Sequence, residues 1–216
     1  MNNVTENIKL QQEVAKEVLH KLEAIDPYCI LAGGAPRNWF LGIEAKDLDF
    51  YIHNNHTVEG LMTQMKAIGL DAKMVDFKSD AWKEYGVMEH LFRILEVEYK
   101  GIPVQIMCMR VNTFDSVVSA FGVSICKFWW KGKDVIPTNE ALISILDETL
   151  YIKDDYSAKE IHVDKMIKYF PNYKVKLYSD YTKPNVKYSL EYDQHFCYYS
   201  EVLKREVIAK LESGGV

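Results

Sequence analysis

Residues 31–52 read LAGGAPRNWFLGIEAKDLDFYI and contain the pattern that decides the fold. An apolar run ends at Gly33-Gly34, and Pro36 suits the first turn of a following helix. The next residues, Asp47 to Ile52, alternate acidic and apolar side chains as a half-buried strand does. The segment therefore predicts a strand, a glycine turn, a short helix and a second strand.

Two acids of this segment, Asp47 and Asp49, are two residues apart. In a strand such side chains point to one face, while Leu48 and Phe50 pack into the core behind them. Neighbouring carboxylates repel each other, and a hard divalent cation such as Mg²⁺ or Mn²⁺ compensates that repulsion. We therefore expect a metal-binding acid pair. A solvated strand face or a pair of helix caps is the alternative interpretation.

The glycine turn suggests a phosphate contact. Without a Cβ at Gly33 and Gly34, a phosphate can approach the backbone N–H groups at the positive end of the next helix. Arg37, one turn into that helix, can add a bidentate contact. An ordinary turn is the alternative for the glycines alone. Acids for a metal and a glycine turn for phosphate together predict a nucleoside triphosphate site.

The rest of the chain has the pattern of an α+β protein. Residues 5–24 and 57–68 have apolar side chains at helical spacing. Two β-rich runs, 91–99 and 102–109, flank Lys100-Gly101, a two-residue loop that suits a hairpin.

Helical spacing dominates the last third of the chain, and no Gly/Ser linker separates it from the rest. We therefore expect an α+β fold in which residues 1–137 form a mixed sheet flanked by helices. Residues 138–216 are expected to form a mainly helical lobe packed on it.

The composition favours a folded protein without a membrane segment. The 216 residues are 48% hydrophobic with a net charge of −5, which is enough apolar material for a sizeable core. The four cysteines are far apart, without zinc or disulfide spacing, and three lie in apolar runs as small hydrophobes. No stretch has the length of a membrane span, and no signal peptide is visible. We expect the reducing cytoplasm, and the oligomeric state stays open.

The glycine turn and the acids resemble the first motif of the class II CCA-adding enzymes and bacterial poly(A) polymerases. These enzymes belong to the DNA polymerase beta superfamily of nucleotidyltransferases, and their pattern runs GG-x-x-RD, LLG and then KD-x-D. The corresponding residues here are Gly33-Gly34-Ala35-Pro36-Arg37-Asn38, Phe40-Leu41-Gly42 and Lys46-Asp47-Leu48-Asp49. The match is close over residues 31–52 and looser over 31–130. The compact size is also similar to stand-alone nucleotidyltransferases that are common in phage genomes.

The resemblance implies a nucleotidyltransferase-like fold and two-metal phosphoryl transfer. Asp47 and Asp49 would bind Mg²⁺ or Mn²⁺ ions that clamp the α-phosphate, activate an acceptor hydroxyl and steady the departing pyrophosphate. Arg110 resembles the arginine after the family's third acidic strand and is a further candidate for a nucleotide contact. The other nucleotide-binding residues that the resemblance implies are Gly33, Gly34, Arg37 and Lys46.

Two residues depart from the family pattern. Asn38 replaces an aspartate, and Gln105 replaces the third carboxylate with an amide, which cannot act as a base. If the hairpin loop has two residues, Tyr99 pairs with Ile102, and Glu96 then lies opposite Gln105 on the same face. We hypothesise that Glu96 supplies the missing carboxylate. An exposed strand glutamate without a role is the alternative.

We therefore expect an enzyme that transfers a nucleoside monophosphate from a nucleoside triphosphate to a hydroxyl, with RNA, such as a tRNA 3′ end, as the favoured acceptor. The chain lacks an RRD-type second motif and the downstream template that selects C and A, which argues against sequence-specific CCA addition. One alternative is nucleotidylation of a protein side chain, which the acidic net charge suits. The other is an inactive nucleotide-binding or decoy module. No membrane partner is expected.

Overall fold

The computed structural model describes residues 2–54, 56–79, 82, 85, 90–110, 114–156, 159–180 and 201–214. The chain forms two compact units. The first comprises residues 1–120 and 129–135, and the second comprises residues 121–128 and 136–216. Residues 121–128 belong to the second unit in this division, and the expected domain boundary at residue 137 stays a prediction.

The first unit is built on a mixed sheet. Its helices are α1 (Asn2–Leu22), α2 (Gly34–Phe40), α3 (Val58–Ala67) and α4 (Phe114–Ser119), and its strands begin with β1 (Ile30–Ala32), β2 (Leu48–His53), β3 (Lys73–Met74), β4 (Leu91–Tyr99) and β5 (Ile102–Met109). Strands β6 (Phe128–Trp130) and β7 (Val135–Pro137) extend the sheet to seven strands in the order β3-β4-β5-β2-β1-β6-β7. The pair β2–β5 is parallel, and its neighbours β1–β2 and β4–β5 are antiparallel. The parallel pair therefore lies in the middle of the sheet.

The β4–β5 hairpin has the two-residue loop expected from the sequence. Lys100 and Gly101 have φ angles of 52° and 77°, the left-handed values that a type I′ turn requires at both central positions. Tyr99 pairs with Ile102, so the predicted register is confirmed.

One face of this sheet packs into the hydrophobic core. Leu48 and Phe50 of β2 lie there beside their β5 partners Val104 and Ile106, and all four are buried. The helical stripe of α1 covers the same core, with Val18 fully buried. Each such large apolar side chain contributes about 1.5–3 kcal/mol when it is fully buried. Because side chains alternate along a strand, the residues between these core positions point to the opposite face.

Two cysteines belong to this core. Cys29 and Cys108 are free thiols and are fully buried. Burial raises the pKa of each thiol to about 12. Both are therefore protonated at neutral pH and act as small hydrophobic side chains, as expected from the apolar runs in which they lie.

The second unit is mainly helical. It contains α5 (Asn139–Leu146), α6 (Lys159–Tyr169), α7 (Glu201–Glu212), the parallel strands β8 (Thr149–Ile152) and β9 (Lys174–Leu177), and short 3₁₀ helices at Ser124–Cys126 and Tyr178–Asp180. Helix α5 begins where the Thr138 hydroxyl accepts a hydrogen bond from the Ala141 N–H at 3.2 Å. Helix α7 packs against α5 with Leu203 and Val207 buried.

A buried ion pair lies inside the second unit. The Lys127 ammonium is 2.5 Å from Glu140 Oε2, and the two side chains are only 2% and 8% exposed. The Tyr178 ring lies 5.3 Å from the same ammonium. Burial lowers the pKa of Lys127, and the Glu140 carboxylate opposes this shift. The pair satisfies both charges away from water.

Two details differ from the sequence expectations. Strand β2 begins at Leu48, so Asp47 precedes the strand instead of opening it. The apolar run at residues 123–130 predicts a strand of a second hairpin around Lys131-Gly132-Lys133, but only Phe128–Trp130 is a strand. Ser124–Cys126 form a 3₁₀ helix, in which the Ser124 hydroxyl pairs with that of Ser144 at 2.9 Å. The fold class is nevertheless the expected one, an α+β fold with a mixed sheet flanked by helices and a mainly helical C-terminal lobe. Among the described helices, none combines the length and the apolar character of a membrane span.

Candidate active site

Strand β2 positions the first candidate acid. Asp49 lies between the core residues Leu48 and Phe50 and points to the opposite face, where it is only 6% exposed. Asp47 is half-buried and directly precedes the strand. The rigid central strand therefore holds Asp49, and the turn before it holds Asp47.

Two polar residues align with Asp49 across the sheet. In the parallel β2–β5 pairing Asp49 is the partner of Gln105, and in the antiparallel β4–β5 pairing Gln105 is the partner of Glu96. Paired residues share a face, so these three residues form one polar row. The two acids flank the amide with backbones about 10 Å apart, twice the strand spacing. The predicted position of Glu96 opposite Gln105 is therefore confirmed, and its chemical role stays a prediction.

A lysine continues the polar row at the edge of the sheet. Lys73 on β3 is the partner of Glu96 and is exposed. The row thus ends with a positive charge beside its second carboxylate, a feature that no sequence pattern indicated.

Gln105 bears on whether this site suits a metal. Its Oε1 atom is buried and has no hydrogen-bond partner in the part of the chain that the structure describes. Leaving a buried acceptor unsatisfied costs about 1–3 kcal/mol, so this oxygen is suited to an additional ligand. Within the same described residues no group of three or more His, Cys, Asp or Glu side chains is placed to hold a metal. The amide oxygen would therefore complete an oxygen donor set with the acids, which suits Mg²⁺ or Mn²⁺.

A tyrosine that sequence reasoning missed contacts this site. The Tyr85 hydroxyl donates a hydrogen bond to Asp49 Oδ2 at 3.1 Å. Tyr85 comes from the connection between β3 and β4, a stretch whose sequence shows neither helical nor strand periodicity. No pattern in the sequence could have linked it to Asp49.

The glycine turn lies next to the start of β2. Leu31 pairs antiparallel with Phe50, so the end of β1 is beside the beginning of β2 and the acids. Gly33 has φ 88° and ψ −125°, a conformation that L side chains rarely adopt, and it caps α2. The expected proximity of the glycine turn and the acid segment is thus present in the fold.

Arg37 lies beside this turn. A Cβ placed on Gly34 would be 3.8 Å from Arg37 Nη2. Arg37 is 3% exposed, and its guanidinium donates from Nε and Nη2 to Asn38 Oδ1 at 3.0 and 2.8 Å. Asn38 in turn donates to the Glu44 carbonyl at 3.1 Å. The residue that replaces the family's aspartate therefore holds the arginine with an amide oxygen.

The remaining two candidates lie at different places. Lys46 is exposed and directly precedes Asp47. Arg110 follows the far end of β5, five residues beyond Gln105 and so about 17 Å along the strand. There its guanidinium lies 5.6 Å from the Phe92 ring centre. Arg110 therefore lies far from the polar row, beyond the other end of β5.

The topology and the site together define a class of fold. The crystal structure of the Bacillus stearothermophilus CCA-adding enzyme in complex with CTP is similar at a TM-score of 0.52 and 14% identity, over 76% of this chain and 40% of that chain. A tRNA-processing enzyme in an apo form is similar at a TM-score of 0.52 and 15% identity, over 92% of this chain and 47% of that chain. The chain spans less than half the length of either protein. The first unit therefore has a nucleotidyltransferase-like fold.

Within this class the family can be named. Residues 6–148 match the Gabija anti-defense 2 family, and the chain belongs to that family. The matched region contains the glycine turn, all three residues of the polar row and Tyr85. A comparison with curated proteins found no similar sequence.

Proposed function

We propose that this protein is a metal-dependent nucleotidyltransferase that moves a nucleoside monophosphate from a nucleoside triphosphate to an acceptor hydroxyl. One observation carries the proposal: Asp49, Gln105 and Glu96 align on one sheet face beside the glycine turn. Oxygen ligands next to a glycine turn that begins a helix suit a cation and a polyphosphate together.

The oxygen donors of this site fit a hard divalent cation. Asp47 and Asp49 would hold Mg²⁺ or Mn²⁺, with the buried Gln105 oxygen as a further donor, and Glu96 on the neighbouring strand would supply the third carboxylate of the reaction. When bound, such ions neutralise the triphosphate, activate the acceptor hydroxyl and stabilise the leaving pyrophosphate.

The protein's own residues bind and orient the nucleotide. The backbone N–H groups at Gly33 and Gly34 would bind the triphosphate, and the Arg37 guanidinium next to Gly34 would add a charged donor. Lys46 is exposed and directly precedes Asp47, and its positive charge would attract the same triphosphate. Arg110 could contact only a distant part of the substrate, because it lies just beyond the far end of β5.

RNA is the favoured acceptor, and the cytoplasm is the expected compartment. The support for an RNA acceptor comes from the two proteins of similar fold, a CCA-adding enzyme and a tRNA-processing enzyme. The family description supports a second candidate, since anti-defense against Gabija suits an acceptor that belongs to that defence. In that case the label would be attached to a protein side chain.

The test is a transfer assay with a matched control. Wild type, Asp47→Asn, Asp49→Asn and Asp71→Asn are incubated with each labelled nucleoside triphosphate, with Mg²⁺ or Mn²⁺, and with total RNA or a lysate that contains the Gabija proteins. Asp71 is an exposed aspartate outside the site, so its variant should retain wild-type transfer.

Three results separate the candidates. Label in RNA supports the first acceptor, and label in protein supports the second. In both cases Asp47→Asn and Asp49→Asn must lose the signal. If wild type transfers no label while its anti-defense activity survives Asp49→Asn, the protein is a decoy module and the proposed enzyme is rejected.

A further inference from the structure

The hydrogen bond between Tyr85 and Asp49 reaches the proposed metal site from a distant part of the chain. The hydroxyl donates to Oδ2 at 3.1 Å, and the two residues are 36 positions apart in sequence. Asp49 is almost fully buried and Tyr85 is half-buried. The bond therefore lies mostly out of water, where a charge-assisted hydrogen bond is stronger than at the surface.

Such a bond affects how the carboxylate is presented. The strand fixes the backbone and Cβ of Asp49, but rotation of the carboxylate about the Cβ–Cγ bond is broad in the absence of a partner. A phenol that donates to one oxygen removes that freedom. Carboxylates that bind metals are commonly oriented by such outer hydrogen bonds, and losing one typically weakens metal affinity about 10–100-fold.

We propose that Tyr85 is the positioning residue of Asp49. Its hydroxyl orients the carboxylate toward Gln105, its neighbour on β5, so that these oxygen donors are arranged before a cation binds. This inference rests on the proposed function, because it gives Tyr85 a part in organising the same site. Nothing in the family pattern assigns this part to Tyr85.

The experiment measures binding of Mn²⁺ alone, from the electron paramagnetic resonance signal of the free ion. Tyr85→Phe keeps the ring and removes only the hydroxyl. The matched control is Tyr99→Phe, because the Tyr99 hydroxyl donates to Glu17 Oε2 at the same 3.1 Å but at an exposed position. Circular dichroism and the Tm establish that both variants are folded.

We expect Tyr85→Phe to raise the Kd for Mn²⁺ by about 10-fold or more, with Tyr99→Phe unchanged. In an Asp49→Asn background, Tyr85→Phe should have no further effect, since the oriented carboxylate is already gone. In the transfer assay, Tyr85→Phe should need more Mn²⁺ for half-maximal rate but approach the wild-type kcat at saturation.

The outcomes distinguish this inference from the function on which it rests. An unchanged Kd in a folded Tyr85→Phe variant overturns the positioning role. A lower Kd also overturns it, because the hydroxyl would then compete with the cation. Weakened Mn²⁺ binding without any nucleotidyl transfer upholds the positioning role and rejects the enzyme. A wild type that binds no Mn²⁺ rejects both.

Discussion

Glu96 lies directly opposite Gln105 across the β4–β5 hairpin. The amide that replaces an expected carboxylate therefore has a carboxylate as its neighbour on the same sheet face. This arrangement allows the third acidic group of the site to come from the adjacent strand.

Glu96→Gln tests whether the third carboxylate comes from β4 instead of β5. If Glu96 supplies the third carboxylate, its loss should lower metal-dependent transfer by about 10- to 100-fold, measured as kcat/KM at fixed Mg²⁺. The control is Glu98→Gln, two residues along the same strand and also exposed, but opposite Pro103 instead of Gln105. Equal rates for the two variants would make Glu96 an ordinary surface residue.

Gln105→Glu should make stability depend more strongly on metal. Without a cation, the new carboxylate faces Glu96 directly, and like charges in this position destabilise by about 0.2–1 kcal/mol. With a cation, the added negative ligand strengthens binding and raises the Tm.

The measurement for Gln105→Glu is thermal unfolding with and without Mn²⁺. The variant should have a lower Tm than wild type without Mn²⁺ and a larger gain when Mn²⁺ is added. Gln105→Met, which removes the oxygen, should gain less than wild type. The same gain in all three proteins would show that no cation binds next to residue 105.

Gly33→Ala and Gly34→Ala should differ in stability. Gly33 has a positive φ of 88°, so an alanine there costs about 1–3 kcal/mol, measured by urea denaturation. At Gly34 the new methyl group would meet, among the residues that the structure describes, only Arg37 Nη2 at an ordinary 3.8 Å, and folding should be nearly unchanged. Weaker nucleotide binding by a fully stable Gly34→Ala would support phosphate contact at the turn. Equal stability losses would contradict the backbone argument.

Glu140→Gln should strongly destabilise the second unit. The substitution leaves the buried Lys127 ammonium without its carboxylate, which costs about 3–5 kcal/mol of unfolding free energy. The double variant Lys127→Met/Glu140→Leu removes both charges and should recover most of that loss. Urea denaturation followed by circular dichroism measures both. A loss below about 1 kcal/mol in Glu140→Gln would mean that water reaches the pair.

The parts of the site that follow from local geometry were predictable. The Lys100-Gly101 loop fixes the hairpin register, so the position of Glu96 followed from counting back along two strands. The alternation of residues 48–52 likewise placed Asp49 on the face away from the core. These features depend on rules that act over a few residues.

The parts that depend on distant contacts were not predictable. Tyr85 lies on a segment without periodicity, so nothing local indicated its bond to Asp49. Arg110 matched a family position, but strand β5 carries it to the far end of the sheet. The hydrogen bonds from Arg37 to Asn38 could not be predicted from the two residues being adjacent in sequence, because side-chain orientation depends on the tertiary surroundings.

The parallel pairing of β2 with β5 also has a consequence for folding. The β4–β5 hairpin joins adjacent segments, whereas the pairing of Asp49 with Gln105 must close a loop that contains α3, β3 and β4. Contacts between such distant segments form slowly, since a long loop must close first. The row of Asp49, Gln105 and Glu96 would thus be assembled only in a chain whose first unit has folded, so binding of a ligand to this row would report that folding.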